Sequence, residues 1–223
     1  MDVLIAIDGP SGAGKGTVAR TIAAHLHFKH VDTGAMYRAV AWRARQLGVD
    51  LADAAAVAEV AARAVFGLSA RIEIDGHDVT SAIRTTEMDA AAATVARHAE
   101  VRRVLVARQR AIGQEGGVVM EGRDIGTVVF PEADVKVYLD ASADERARRR
   151  AMDPAHAAGQ AGAMPDHVIQ IAQALEARDL SDRTRIASPL TLAADAVYID
   201  TTGLPIHAVV SQVMDLIRPR LLP

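Results

Sequence analysis

Residues 5–17, IAIDGPSGAGKGT, place four glycines, a proline and a lysine directly behind a short apolar run. Bare backbone in that amount suits a bulky anion that must be approached closely. Glycines let the loop curl with several N–H groups pointing inward, and a helix that follows adds the positive end of its dipole. Gly9-x-x-x-x-Gly14-Lys15 has that form, with Lys15 placed to reach terminal phosphates. Gly16 follows the lysine, so any hydroxyl contact to phosphate or metal falls to Thr17, one residue late.

The loop needs a strand before it and a helix after it, and the rest of the chain repeats that alternation. Apolar runs at 3–7, 30–31, 118–121, 135–140 and 197–200 read as strands. Patterns at 15–26, 35–47, 101–112, 144–152, 167–175 and 206–216 read as helices, with Ser142-x-x-Glu145 as a capping box. Strands separated by helices predict an α/β chain with a parallel sheet covered on both faces. Two segments break the rhythm. Residues 65–84 alternate like short strands around Asp75-Gly76, a hairpin-turn signal, and predict a small antiparallel insert. Residues 153–166 hold two glycines and two prolines among small residues and read as a mobile lid tip. The alanine-rich stretch 52–65 is amphipathic and reads as core packing, as does Trp42.

The 223 residues suffice for one sizeable core with an inserted subdomain. Net charge is −3, so no global pull toward nucleic acid or an anionic membrane is expected. With no cysteine, disulfides and thiol catalysis are excluded. The apolar run at 3–7 is too short for a signal peptide, and no stretch reaches the roughly 20 residues of a membrane span. A cytoplasmic chain is expected. The eight histidines show no metal-binding spacing.

A strand ending in an acid beside the loop would help organise Mg²⁺. Glu121 and Asp140 compete for that place; Glu121 is preferred because Gly122-Arg123-Asp124 follows it at the carboxyl edge of the sheet, where ligands bind. Only three of the 25 cations are lysines, a bias of composition, so only the placement of the arginines carries meaning. Arg38 lies one turn into a helix opened by Asp32-Thr33-Gly34. Arg123 and Asp124 sit at a sheet edge, and Arg178, Asp182 and Arg185 share a helical face. Arg146, Arg149 and Arg150 share another; taken singly, Arg146 and Arg148 read as solvated. Together these sites exceed what one triphosphate needs. They predict two polyanions in one cleft, and phosphoryl transfer between nucleotides.

GPSGAGKGT, DTGAMYRA, EGRDIGTVVFP, KVYLDAS-x-x-ER and RD-x-x-DRTR-x-x-SPL, in this order, closely resemble the bacterial cytidylate kinases, across nearly the whole chain. The resemblance implies a P-loop nucleoside monophosphate kinase fold: a five-stranded parallel sheet, a small antiparallel monophosphate-binding insert at about 60–98 and a lid at about 146–166. It implies one kinase domain over 1–223, monomeric, with MgATP as donor and CMP or dCMP as acceptor.

By resemblance, ATP binds Gly9, Pro10, Ser11, Gly12, Ala13, Gly14, Lys15, Gly16 and Thr17, with the lid arginines Arg146, Arg149 and Arg150. The acceptor phosphate takes Arg38, Arg123 and Arg185, with Thr33 nearby. Arg102 and Asp124 read the base, and Arg178 and Asp182 the sugar. Lys15, Arg123, Arg149 and Arg185 are the implied catalytic cations. Two positions depart from the pattern. Glu121 stands where an aspartate often does, and Ala93 where a base-contacting serine can occur, with Thr94 as its possible replacement. Kinases of a uridylate or a sugar acid, and a nucleotide-binding regulatory module, remain as rival readings.

Overall fold

Strand β1 (Leu4–Asp8) is buried at every residue, because it is the middle of a sheet with helices on both faces. The computed structural model describes residues 3–69, 71–153, 155–156 and 165–221. Within them the main sheet runs β2-β6-β1-β7-β8, with every pairing parallel. Its other strands are β2 (Lys29–Asp32), β6 (Val118–Gly122), β7 (Val135–Asp140) and β8 (Val197–Asp200). The predicted strands are all present, and β7 and β8 begin and end at the expected residues.

The loop after β1 is shaped by glycine where a side chain has no room. Gly9 has φ 144°, and a Cβ there would lie 1.9 Å from the Leu139 carbonyl oxygen of β7. Gly14, at φ 91°, precedes helix α1 (Lys15–Leu26) and offers no side chain to cap it. The first N–H groups of α1 therefore stay available to a ligand. From β1 the chain continues to β2 on one side of the sheet, and from β7 to β8 on the other. The loop sits where those directions part, the place where open α/β sheets bind ligands.

Asp32 ends β2 and caps α2 (Thr33–Gln46), accepting the Ala35 N–H at 2.9 Å. Beyond α2, helix α3 (Ala54–Arg63) buries Val57 and Ala61, as the amphipathic pattern implied. The expected antiparallel insert is β3 (Phe66–Leu68), β4 (Ile72–Ile74) and β5 (His77–Asp78). Ile74 pairs with His77 across Asp75 and Gly76, whose φ angles of 50° and 78° make the predicted tight turn. Helices α4 (Thr86–Val95) and α5 (Ala99–Gly113) complete this part. Its apolar cluster, with Met36, Val40, Ile74, Ile83 and Leu105, is separate from the one between the main sheet and α1.

After β6 the chain makes one wide helical turn, Ile125–Val129. Helix α6 (Ala143–Ala151) starts with Ser142 accepting the Glu145 N–H at 3.3 Å. The expected box closes on one side only, since Glu145 turns its carboxylate to Arg148 and Arg149. α6 packs on α7 (Pro165–Thr184) through Ala147, Ala151, Ile171 and Leu175. Most of the expected lid tip between them, at residues 154 and 157–164, lies outside the described residues. Helix α8 (Ile206–Leu221) returns to the main sheet. No described helix is long and apolar enough to cross a membrane.

Alanine at Gly9 would meet a backbone carbonyl and a strained φ together. Gly9→Ala is expected to lower the melting temperature by roughly 5–10 °C, read by circular dichroism. Melting within a degree of the parent would show that the loop does not press on β7.

Candidate active site

The loop after β1 forms one end of a cavity of about 490 Å³. Ser11 to Thr17 line that end, and Lys15 lies within it with its Nζ donating to the Pro10 carbonyl at 2.7 Å. Burial pushes the Lys15 amine down to about 7, and nearby Arg123 adds to this; Glu121 and Asp8 partly oppose it. A polyphosphate would reverse the shift, because negative charge restores the ammonium.

β6 pairs directly with β1, bringing Glu121 opposite Ile7 and into the cavity wall. A Cβ on Gly16 would lie 3.1 Å from Glu121 Oε1 and would press on that carboxylate. His30 of β2 holds the same Oε1 at 2.9 Å. Asp140, the competing acid, caps its own strand end by accepting the Ala141 N–H and is not part of the wall.

From α6, Arg150 donates to Ser11 Oγ at 2.9 Å, and Arg149 donates to Thr201 Oγ1 at 2.8 Å and its carbonyl at 2.6 Å. Both line the cavity. Arg146 does not. It is buried behind the loop, donating to the Ala141 and Ser11 carbonyls and pairing with Asp179. Thr201, Leu204, Ile206 and Val209 give this end a mainly apolar flank.

The opposite end is lined by Arg38, Arg84, Arg123 and Arg178 with Asp32 and Asp89, while Arg102, Asp124, Asp182 and Arg185 are buried outside that lining. Arg38 pairs with Asp32 at 3.0 Å, and Gly34 leaves room for that pair. Arg123 donates to Asp182 at 2.9 Å. Arg102 pairs with Asp124 and stands over the Tyr37 ring, 5.4 Å from its centre. Arg185 lies 3.5 Å from Asp182 and 3.8 Å from Asp124. Burial alone would raise Asp182, but Arg123, Arg178 and Arg185 outweigh it and hold the carboxyl low. Arg38 Nε, Arg102 Nε, Arg178 Nε and Arg185 Nη2 are buried with no hydrogen-bond partner among the described residues. Buried donors left over in that number call for a ligand or water.

The chain matches the family model described as cytidylate kinase over residues 5–219. The chain belongs to the cytidylate kinase family. A cytidylate kinase of Solibacter usitatus is 47% identical over 98% of this chain and 93% of its own length. One from Desulfitobacterium hafniense is 44% identical over 95% of this chain and 91% of its own. A gluconokinase structure from Sinorhizobium meliloti, 15% identical, shares the fold with a TM-score of 0.51 over 98% of this chain and 93% of that one.

Most of the site residues expected from the family pattern come together in and behind this cavity. Thr33 is buried against it, donating to the Glu121 carbonyl at 2.7 Å. Ala93 lines a second, mostly apolar cavity of about 370 Å³ between α4 and α7. Thr94 is exposed and donates back to the Ala90 carbonyl at 3.3 Å. Arg178 is near enough to Asp182, as expected, to help hold its carboxyl low, and it also pairs with Asp89 at 2.6 Å. Asp89, Arg84, His30 and the apolar flank were not found by sequence reasoning. Asp89 sits on α4, whose run of alanines gives only a weak apolar stripe.

Asp8 was also missed. It is buried at the end of β1 and accepts the Ile125 N–H at 2.9 Å and the Gly126 N–H at 2.7 Å. Burial pushes its carboxyl up to about 6, against the pull of those two N–H groups. The folded chain then binds a proton there that the unfolded chain, with an ordinary value of 3.8, has released. Stability at Asp8 therefore falls as pH rises from about 4 to about 6. Urea unfolding at pH 4.5 and 6.5 should show the parent losing about 2 kcal/mol relative to Asp8→Asn across that window. A difference that does not change with pH would show that Asp8 is ionised throughout.

Proposed function

We propose that this chain transfers the γ-phosphoryl group of ATP to CMP or dCMP, giving ADP and CDP or dCDP. The observation that carries this reading is one cavity with two cationic ends, one of glycine backbone and Lys15, the other of arginines, of which Arg38 and Arg178 keep a buried Nε with no hydrogen-bond partner among the described residues. Membership of the cytidylate kinase family supports the acceptor.

In this reading a phosphate oxygen of the acceptor forms a bond to the γ-phosphorus as the bond to the bridging oxygen of ADP breaks. The acceptor oxygen is already ionised, so no strong base is needed. Catalysis is alignment and neutralisation of charge by Lys15, Arg123, Arg149 and Arg185. Arg150 steadies the donor phosphates at Ser11, and Arg146 holds the outer wall of the loop. Leu204, Ile206 and Val209 face the adenine. Arg38 and Thr33 serve the acceptor phosphate, and Arg178 and Asp182 its sugar.

The residues present fit a magnesium ion that arrives with ATP. Glu121 is a buried carboxylate in the wall beside Lys15, and among the described residues no cluster of three or more ligating side chains forms an all-protein cage. Mg²⁺ is commonly held by one or two carboxylates, water and phosphates. Glu121 would hold it through that shell, with Thr17 as a second candidate, and the ion would supply charge neutralisation between the phosphates.

The base is read by what Arg102 and Asp124 can exchange. An ionised carboxylate only accepts, and a guanidinium only donates. Cytosine offers an amino donor at N4 and acceptors at N3 and O2; uracil reverses N3 and the exocyclic position. Coupled-assay turnover should therefore favour CMP over UMP in kcat/KM by roughly a hundredfold. Asp124→Asn, checked for folding by melting, should shrink that ratio through better relative use of UMP. Equal use of both acceptors by the parent would move the uridylate reading ahead. Lys15→Met should fold normally and lose kcat by about two to three orders of magnitude; near-native turnover would end the donor-loop assignment.

A further inference from the structure

One carboxylate stands among cations that the reaction needs for phosphate. Asp89 is the residue of α4 that lines the main cavity, and it lines the second cavity as well. Its Oδ1 lies 2.6 Å from Arg178 Nη1 and 3.7 Å from Arg38 Nη1. Its Oδ2 lies 3.1 Å from His156 Nε2 and 3.9 Å from Arg150 Nη2. These partners come from α7, α2, the segment after α6, and α6 itself. Arg150 also touches the donor loop at Ser11, and Arg38 is held by Asp32 on the acceptor side. The carboxylate thus occupies the ground between the two ends of the cavity. Its side chain is only 14% exposed, so water screens these pairs weakly.

We propose that Asp89 is a built-in counter-anion for Arg38, Arg150 and Arg178, and that the acceptor's phosphate displaces it when it binds. This rests on the acceptor reading of the cavity. Three guanidiniums held close together in a shielded space repel one another, and one carboxylate offsets part of that repulsion. A phosphate monoester held at Arg38 brings up to two negative charges beside the same cluster. A carboxylate and a phosphate at such distances repel, so they compete for the guanidiniums. Asp89 therefore weakens the grip of the cavity on any phosphate. It also offers the arginines a partner to return to when a charged product leaves. A residue that only holds the arginines in position would act the other way and strengthen that grip.

The sign of the change separates the two roles. Asp89→Asn and Asp89→Ser remove the charge, and Asp89→Glu keeps it. KM for CMP at saturating MgATP, and Kd for pyrophosphate by calorimetry without turnover, are expected to fall roughly three- to tenfold in the first two variants. Asp89→Glu should stay near the parent in both. Unchanged or raised KM and Kd in the neutral variants, restored by glutamate, would overturn the proposal and make Asp89 a positioning residue. If the parent did not phosphorylate CMP yet the neutral variants still bound pyrophosphate more tightly, the acceptor reading would fall and the counter-anion would stand.

Discussion

Asp8 ends the central strand with a buried carboxylate, and the turn after β6 closes on it with two N–H groups. Taking that carboxylate out of water is costly, and the two backbone donors offset only part of the cost. What the contact fixes is the relation between two strands. β1 leads into the phosphate loop, and β6 leads into Arg123 and Asp124. A shift of one against the other would move Lys15 relative to the arginines, and transfer between two ligands depends on that distance. The same carboxylate is one of the few negative groups that favour the charge on desolvated Lys15. The turn itself can lie this close because Gly126 has no side chain where Lys136 and Asp8 approach.

The next constraint is how the chain keeps so many guanidiniums together. Six of them are paired with an acid. Arg38 has Asp32, Arg102 has Asp124, Arg123 has Asp182, Arg146 has Asp179, Arg149 has Glu145 and Arg178 has Asp89. A paired guanidinium has lost most of its rotamer freedom before a phosphate arrives, so less ordering remains to be done on binding. Pairing uses one edge of the fork and leaves other N–H groups free, as at Arg102 Nε and Arg185 Nη2. The acids are therefore part of the binding site even where they would repel a phosphate.

The sheet was legible because its signals are local. Buried parallel strands are short runs of apolar residues, and the glycine loop fixes which one comes first. The Asp75-Gly76 turn was legible for the same reason, since two residues determine it. Helix α4 was not, because the four alanines in Thr86–Val95 leave it without a strong apolar stripe. With it went Asp89, whose meaning lies wholly in partners far away in the chain. Arg146 was misjudged from the other direction. On a charge-rich helix it looks solvated, yet the loop packs over it, with Gly12 leaving room for its Cβ. Pairings such as Arg178 with Asp89 follow from how α4 meets α7, which spacing within either helix does not encode.

A gluconokinase with 15% identity shares this fold, so the fold alone does not choose the acceptor. The elements that differ in purpose can be separated in the present chain. The donor end is built from β1, its loop, α1, α6 and the segment from Thr201 to Val209. Glycine backbone and a lysine there respond to phosphate and ignore what is attached to the acceptor. The other end comes from α2, α4, α7 and the residues at the end of β6, with the Arg102–Asp124 pair buried outside its lining. Arg102 and Asp124 lie on α5 and after β6, joined by one buried pair. Changing either alone would strand a buried charge, which costs more than the pair contributes. If this pair reads the base, as proposed, a single change at Asp124 shifts the preference between acceptors at a cost in stability, and only a matched change at Arg102 would remove that cost.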